Sequence, residues 1–330
     1  MLTFFTTAKP FVGHSGMIQR NALQSWKLLH PAVELILFGN EEGAAEVCTE
    51  LGLRHEPHVE RHETGSKYVN YMFERAQQIA RYDCLCYSNC DIMFFSDFYE
   101  AVRLISDRRQ RFLMIGQRWD ADITEPVDFK NPEWALSLRQ FARTKALKQA
   151  ADFVDYFVFS KGLYESVPPL VVGRSFWDWW LVWKALSMNA SVIDCTAFVF
   201  AIHQNHGYGY HPQGKQGTHE DVLALRNIEV GGGKEHLRFT IDSTHRLDRL
   251  GNIRSRSVYR RWGARRWDAV KRKLQPGRQV LRQVLIYDVW LPVWHFCLDL
   301  SRPIRNRLGL RSEALSRSRQ KDSSGVGPPL

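Results

Sequence analysis

The sequence predicts an α/β protein with a Rossmann-like, mostly parallel central sheet flanked by helices. Three observations predict it. Short apolar, β-prone runs alternate with stretches of helical spacing from Leu2 to Gly116. One run, Asp83–Ser88, is apolar enough to lie buried on both faces, as strands inside a parallel sheet do. Polar and glycine-rich segments follow the strands, at the carboxyl ends where such sheets bind ligands. With 330 residues, 44% hydrophobic and 24% charged, the chain can bury one large α/β core and still carry an appendage.

The elements follow in order. Leu2–Thr6 reads as a strand that gives way to the loop Thr6–Phe11. Ile18–Leu29 reads as a helix, because Ile18, Ala22, Trp26 and Leu29 share one face. Val33–Phe38 is a second strand ending at Gly39–Gly43. Ala44–Leu51 is a helix stopped by Gly52, and Arg54–Val59 a short third strand. Tyr68–Ile79 is amphipathic through Val69, Met72, Phe73, Ala76 and Ile79, and it leads into Asp83–Ser88. Helix Phe98–Ile105 and strand Phe112–Gly116 come next. Beyond Trp119 the pattern is less regular: Asn131–Ala151 reads as helical, Phe153–Phe159 as an aromatic strand, Ser175–Leu186 as a Trp-rich segment and Ser191–Phe200 as a strand.

Charge divides the chain. From Arg246 to Leu330 there are 20 Lys and Arg against 6 Asp and Glu, whereas the preceding part is mildly acidic. A strongly basic tail suits an anionic surface. Residues 253–273 interleave nine cations with Tyr259, Trp262 and Trp267, and 280–300 is apolar but broken by Pro292. That pattern predicts a helical basic extension over 251–311 that lies on an anionic membrane; the plain alternative is a charged helix packed on the body. Residues 312–330 read as a disordered tail, and 1–250 as the folded domain. No nucleic-acid-binding motif accompanies the basic charge. The six cysteines, including Cys84, Cys86 and Cys90, lack the paired spacing of a zinc site and read as buried small hydrophobes in a reduced compartment. No secretory leader and no spanning helix are expected, which points to the cytoplasm.

Three motifs carry candidate chemistry. Asn89-Cys90-Asp91 follows a buried strand and puts one carboxylate at its end. There a carboxylate can hold a divalent cation that neutralises a diphosphate, although an Asp at a strand end is often a plain turn residue. Gly173–Trp180 sets Asp178 among three indoles, a platform for a sugar ring with a carboxylate that binds hydroxyls or takes a proton. Burial there would raise its pKa; the alternative is a helix N-terminus with its indoles in the core. His203 and His206, followed by Tyr208, Tyr210, His211 and Lys215, form a His/Gly/Lys segment. Its histidines can complete a metal site begun by a carboxylate, and Lys215 can approach a phosphate.

The strings Phe4–Pro10, Gln19–Trp26, Leu37–Gly43, Asn89–Ile92, Asp155–Phe159, Trp177–Leu181 and His203–His206 resemble, in the same order, a bacterial family of GT-A glycosyltransferases. The resemblance spans roughly residues 1–247. It implies a GT-A type, nucleotide-diphospho-sugar transferase fold. It implies Thr6, Thr7 and Lys9 beside the nucleotide, Glu41 and Glu42 near the base, and Asn89 beside Asp91 at the ribose and phosphates. Asp91 with His203 or His206 would hold Mn²⁺ or Mg²⁺, and Asp178 would face the acceptor or act as base. Asn40 and Asn89 stand where the family pattern has Asp, which leaves Asp91 as the motif's one carboxylate. The implied activity is sugar transfer from a nucleotide-diphosphate sugar, a UDP- or GDP-sugar, to a hydroxyl acceptor in surface-glycan assembly; the basic tail, not the resemblance, adds a lipid-linked acceptor at the inner face of the cytoplasmic membrane. A sugar nucleotidyltransferase is the first rival, although Thr6–Gly16 lacks its Gly-rich basic loop. A non-catalytic glycan- or membrane-binding module of the same fold is the second.

Overall fold

A computed structural model describes residues 1–207 and 221–257. Its core is a mixed α/β arrangement around a nine-stranded sheet. In chain order the strands of that sheet are β1 (Thr3–Thr7), β2 (Glu34–Phe38), β3 (Arg54–Glu56), β4 (Cys84–Ser88), β6 (Phe112–Ile115), β9 (Tyr156–Ser160), β10 (Ser191–Asp194), β12 (His245–Leu247) and β13 (Ile253–Ser255). Their spatial order is β13-β12-β10-β6-β9-β4-β1-β2-β3. All are parallel except β9, which runs against β4 and β6, and β13, which runs against β12. The sheet is mostly parallel, as the strand–helix alternation requires.

Alternation along each strand sends neighbouring side chains to opposite faces, and both faces are covered. Phe4 packs on one face with Trp26, Phe94 and Phe98, its ring 4.9 Å from that of Trp26. Phe5 packs on the other, with Phe73, Tyr87 and Phe159. Each such aromatic, fully removed from water, contributes about 1.5–3 kcal/mol. The covering helices are α1 (Gly13–Lys27), α2 (Ala44–Leu51), α3 (Val69–Ile79), α4 (Ser96–Ser106) and α6 (Trp177–Ser187). Cys48, Cys84, Cys86, Cys90 and Cys195 are buried free thiols, small hydrophobes within this core.

A second sheet has four short strands: β5 (Ile92–Met93), β11 (Ile202–Gln204), β7 (Trp119–Ala121) and β8 (Leu147–Lys148), in that order. Helix α5 (Trp134–Lys145) covers it, with Trp134 stacked on Phe95 and Ala142 fully buried. Helix α7 (Val222–Val230) is capped by Asp221, whose carboxylate accepts from the Ala224 amide.

Several boundaries differ from the sequence expectations. Helix α1 starts at Gly13, which takes φ +52°, rather than at Ile18; its first turn, Gly13 and His14, is exposed and so carries no apolar period for the sequence to show. A Cβ on Gly16 would meet the Phe11 backbone, so only glycine fits there. Asn131–Ala151 is helical only over Trp134–Lys145, since Ala146 is extended and Leu147–Lys148 pairs with Trp119–Asp120. Ser191–Phe200 splits: the strand stops at Asp194, whose carboxylate accepts from the Thr196 amide and closes a turn, and the chain re-enters the other sheet at Ile202. The folded sheet runs past residue 250, because Ile253–Ser255 pairs with His245–Leu247. The rest of the basic extension and the tail, from residue 258, lie outside the described residues, as do Tyr208, Tyr210, His211 and Lys215. Among the described residues no helix is long and apolar enough to cross a membrane.

Candidate functional site

Strand order locates the cleft. From β1 the chain winds outward through β2 and β3, then returns to place β4 on the other side of β1. The carboxyl ends of β1 and β4 therefore diverge, and a crevice opens at that reversal. It is a cleft of about 760 Å³ lined by Thr7, Lys9, Glu41, Lys67, Asn89, Asp91, Arg118, Asp155, Trp177, Asp178, His203 and His206, among others.

The small sheet assembles the cleft's reactive end. Asp91 is the last residue before β5, and β5 pairs antiparallel with β11, setting His203 opposite Ile92. On its other side β11 runs parallel with β7, setting His203 opposite Asp120. Register thus delivers His203 between two carboxylates. Its Nε2 lies 3.7 Å from Asp91 Oδ2 and its Nδ1 3.1 Å from Asp120 Oδ1. His206, two residues past β11, brings Nε2 to 3.1 Å from Asp91 Oδ2, and its Nδ1 sits 3.0 Å from the Gly207 carbonyl. His203 Nδ1 faces the Asp120 carboxylate and His206 Nδ1 the Gly207 carbonyl, while both Nε2 atoms turn toward Asp91, where a bound cation would take their lone pairs.

Asp91, His203 and His206 each offer a ligand atom within 4.8 Å of the others. Asp91 Oδ1 is buried with no hydrogen-bond partner, an orphan that a cation would satisfy. Burial alone would raise the Asp91 pKa, but His203, His206 and Arg118 outweigh it and hold the carboxyl below the usual range. Around it, the carboxylates of Asp91, Asp120 and Asp155 stand against the Arg118 guanidinium and the Lys9 ammonium, leaving a net negative charge that suits a cation. Two imidazoles and one carboxylate fit a first-row transition ion such as Mn²⁺ better than Mg²⁺, which prefers oxygen throughout.

Buried polar groups of α1 hold this arrangement from below. Gln204 donates from Nε2 to the Ile18 carbonyl at 2.8 Å and accepts from Asn21 at 2.9 Å, while its backbone N–H donates to the Asp91 carbonyl at 3.1 Å. Trp26 Nε1 donates to the Ile92 carbonyl at 2.7 Å. Gln19 brackets Lys9 with two hydrogen bonds to its backbone. Lys9 reaches to 3.4 Å from His206 Nδ1; burial lowers its pKa and Asp91 opposes that shift.

The remaining sequence candidates sort by position. Thr7 lines the cleft, its hydroxyl donating to the Phe38 carbonyl. Thr6 lies beneath it, tying β1 to β4 through a 2.6 Å hydrogen bond to the Ser88 carbonyl. Glu41 faces the cleft and is gripped by buried Lys67 at 2.6 Å and by Arg61 at 2.8 Å. A side chain on Gly39 (φ +104°) would run into Glu41 Oε2. Glu42 is exposed, and its carbonyl accepts from Phe11. Asn89 turns its amide to Asp155 Oδ1 at 2.8 Å. Asp178, in the first turn of α6 beside Trp177, has Oδ1 buried without a hydrogen-bond partner, and burial pushes its carboxyl up to about 8. The Trp-rich segment is thus both a helix N-terminus with indoles in the core and a carboxylate facing the cleft. Arg118, Asp120 and Lys67 were not among the sequence candidates. An isolated Arg-x-Asp in an irregular region carries no periodic signal, and only strand register shows that it faces His203.

Similarity to known proteins gives little more than the fold. No protein-family model matches the chain, and no curated protein matches it. Solved structures with a similar fold include TarS from S. aureus, at 10% identity and a TM-score of 0.41, with 62% of this chain and 60% of that one covered. The mannosyltransferase PcManGT from Pyrobaculum calidifontis, in complex with GDP-Man and Mn²⁺, is similar at 13% identity and a TM-score of 0.40, covering 64% of this chain and 59% of that one. Glucosyl-3-phosphoglycerate synthase of M. tuberculosis gives 12% identity and a TM-score of 0.42, covering 70% and 78%. The match to TarS spans about 60% of that chain's length. Likenesses this distant carry no functional argument, so the function rests on the cleft's own geometry.

Proposed function

We propose that the chain is a metal-dependent glycosyltransferase of the GT-A type, which moves a sugar from a nucleotide-diphosphate donor to a hydroxyl acceptor. The observation that carries this reading is the Asp91–His203–His206 triad, with its orphaned carboxylate oxygen, at one end of a large cleft at the sheet's reversal point. When bound there, Mn²⁺ would neutralise the donor diphosphate and the departing nucleotide. Asp91, His203 and His206 hold the ion. Thr7, Lys9 and Asn89 line the nucleotide end of the cleft, with Glu41, braced by Lys67 and Arg61, toward the base. Lys215 is assigned to the phosphates from the sequence alone. Asp178, beside Trp177, orients the acceptor hydroxyl and accepts its proton when ionised. The acceptor in this reading is a glycan or lipid-linked glycan of the cell surface. The enzyme works in the cytoplasm at the inner membrane face, with residues 253–311 against anionic lipid.

Calorimetry with UDP-, GDP- and dTDP-sugars, with and without Mn²⁺, tests it. One donor is expected to bind only with Mn²⁺ and to be hydrolysed slowly to the free nucleotide. Asp91→Ala is expected to lower that turnover about 10³-fold, several kcal/mol of charge stabilisation. Absence of any nucleotide binding would instead favour a non-catalytic module. Pyrophosphate release from a nucleoside triphosphate and a sugar 1-phosphate would favour the nucleotidyltransferase.

A further inference from the structure

A continuous polar chain runs behind the triad. Asn89 Nδ2 donates to Asp155 Oδ1 at 2.8 Å, and Asp155 Oδ1 lies 2.5 Å from an Arg118 amino group. Arg118 Nε donates to Asp120 Oδ1 at 2.8 Å, and the same Asp120 oxygen faces His203 Nδ1 at 3.1 Å. Arg118 is only 6% exposed, so its charge has been taken from water and must be compensated where it sits. Two carboxylates on different elements compensate it, Asp120 on β7 and Asp155 just before β9. The Phe153 ring lies under the guanidinium at 5.1 Å, which fixes its plane.

Only a planar fork serves both carboxylates at once. A lysine ammonium is a point charge and cannot hold two carboxylates in fixed directions. Asp120 in turn bears on how the His203 ring is turned, because its carboxylate lies 3.1 Å from the nitrogen away from Asp91. Arg118 touches neither Asp91 nor the two histidines in any hydrogen bond or ion pair among the described residues; its charge acts on Asp91 across space, and its hold on the His203 ring runs through Asp120.

We propose that Arg118 is a positioning residue for the metal site: through Asp120 it locks His203 with Nε2 aimed at the cation, and through Asp155 it fixes Asn89 beside the same cation. This rests on the metal-binding part of the function proposed above. It makes the orientation of His203 depend on a guanidinium fork outside the ligand set.

The sign of the effect on metal affinity separates positioning from simple electrostatics. Arg118 is a cation near a cation site. If it acted only through charge, Arg118→Met would tighten Mn²⁺ binding and Arg118→Lys would leave it unchanged. A positioning role predicts weaker binding in both. The experiment is Mn²⁺ titration of the full chain without nucleotide sugar, read by the electron paramagnetic resonance signal of the free aqueous ion, with circular dichroism and Tm as controls on folding. Arg118→Lys is expected to weaken Mn²⁺ binding about 10- to 100-fold, the usual effect of losing an outer-shell partner. Asp120→Asn should weaken it in the same range, and the double variant should lose little more than either single one, because both act on one ring. Arg118→Met serves if it folds, and Arg118→Lys decides the matter if it does not. A folded Arg118→Lys protein that binds Mn²⁺ like wild type overturns the proposal and leaves the proposed function standing. A wild-type chain that binds no Mn²⁺ overturns both.

Discussion

The two sheets are held together by different balances of apolar burial and polar anchoring. The nine-stranded sheet is built from runs such as Cys84–Ser88 and Phe112–Ile115, in which every residue is buried, and it is sandwiched between two large apolar clusters. Burial and ladder hydrogen bonds suffice for it, and no single polar side chain decides its geometry. The four-stranded sheet has strands of two or three residues, too short to persist alone. It has a small apolar core of its own, Met93, Phe95, Ala121, Ile123 and Ile202 under α5, and adds specific polar anchors: Trp26 on Ile92, Gln204 on Ile18 and Asn21, and Arg139 on Asp97 at 2.6 Å. Yet it carries His203 and Asp120 and adjoins Asp91 and His206. One sheet supplies stability that tolerates variation in detail; the other supplies a geometry that each anchor helps to set.

The largest expected effect tests that separation from the scaffold side. Phe5 is fully buried among Phe38, Phe73, Tyr87 and Phe159, on the face of the large sheet away from α1. Phe5→Ala should destabilise the protein by about 3–5 kcal/mol in denaturant unfolding. Under native conditions its Mn²⁺ affinity should stay within about twofold of wild type, because the sites share no partners. If metal affinity fell in step with stability, the two sheets would be one cooperative unit and the comparison would collapse.

The same difference explains what was legible in the sequence. Strands β1, β2, β4 and β6 announce themselves because unbroken apolar runs have one physical explanation. Helices α2, α3 and α4 do so through their spacing. Strands β5, β7 and β11 do not, since two or three residues carry no period and their partners lie far apart in the chain: Ile92 meets His203, and His203 meets Asp120. Asp91, His203, His206, Asp178, Lys9 and Glu41 could be singled out as reactive types in suggestive settings, and all reach the cleft. Arg118 and Asp120 could not, because their burial arises from pairing alone. The buried polar residues of α1 show the converse. Gln19, Asn21 and Ser25 look like a solvent face by composition, yet each is buried and accepts from a distant backbone amide, of Lys9 at the cleft, Val127 and Phe94.

A middle-sized effect concerns a group that the scaffold itself perturbs. Asp178 sits on α6, whose Trp177, Trp180 and Leu181 pack on the large sheet. Burial there pushes its carboxyl up to about 8, against an unfolded value near 3.9. Between those values the folded state keeps a proton that the unfolded chain releases, so ionisation opposes folding increasingly as pH rises from about 4 to 8. Asp178→Asn lacks this penalty. It should be more stable than wild type by roughly 1–3 kcal/mol at pH 8.5, with the difference shrinking toward pH 4. In wild type, kcat/KM should rise with pH to an inflection near 8, as Asp178 becomes able to accept a proton, and the variant should lack that limb. A pH-independent stability difference would show that Asp178 is hydrated and ionised, and that the large sheet leaves the chemistry untouched.

The smallest effect lies at the outer edge of the small sheet. Gln149, one residue past β8, donates from Nε2 to Asp120 Oδ2 at 2.8 Å, and its backbone N–H donates to the Arg118 carbonyl at 3.0 Å. Gln149→Leu keeps the backbone bond and removes the side-chain one. Asp120 would keep Arg118 and His203 on its other oxygen, so the carboxylate should swing only slightly, with water replacing the lost amide. The expected cost is about 0.5–1.5 kcal/mol, read as a roughly 2- to 10-fold weaker Mn²⁺ affinity, with Tm little changed. This pattern is the reverse of that for Phe5→Ala, where stability falls and affinity holds. If Gln149→Leu lowered Tm and left affinity alone, β8 would belong with the scaffold, and the polar shell that sets the site would end at Asp120.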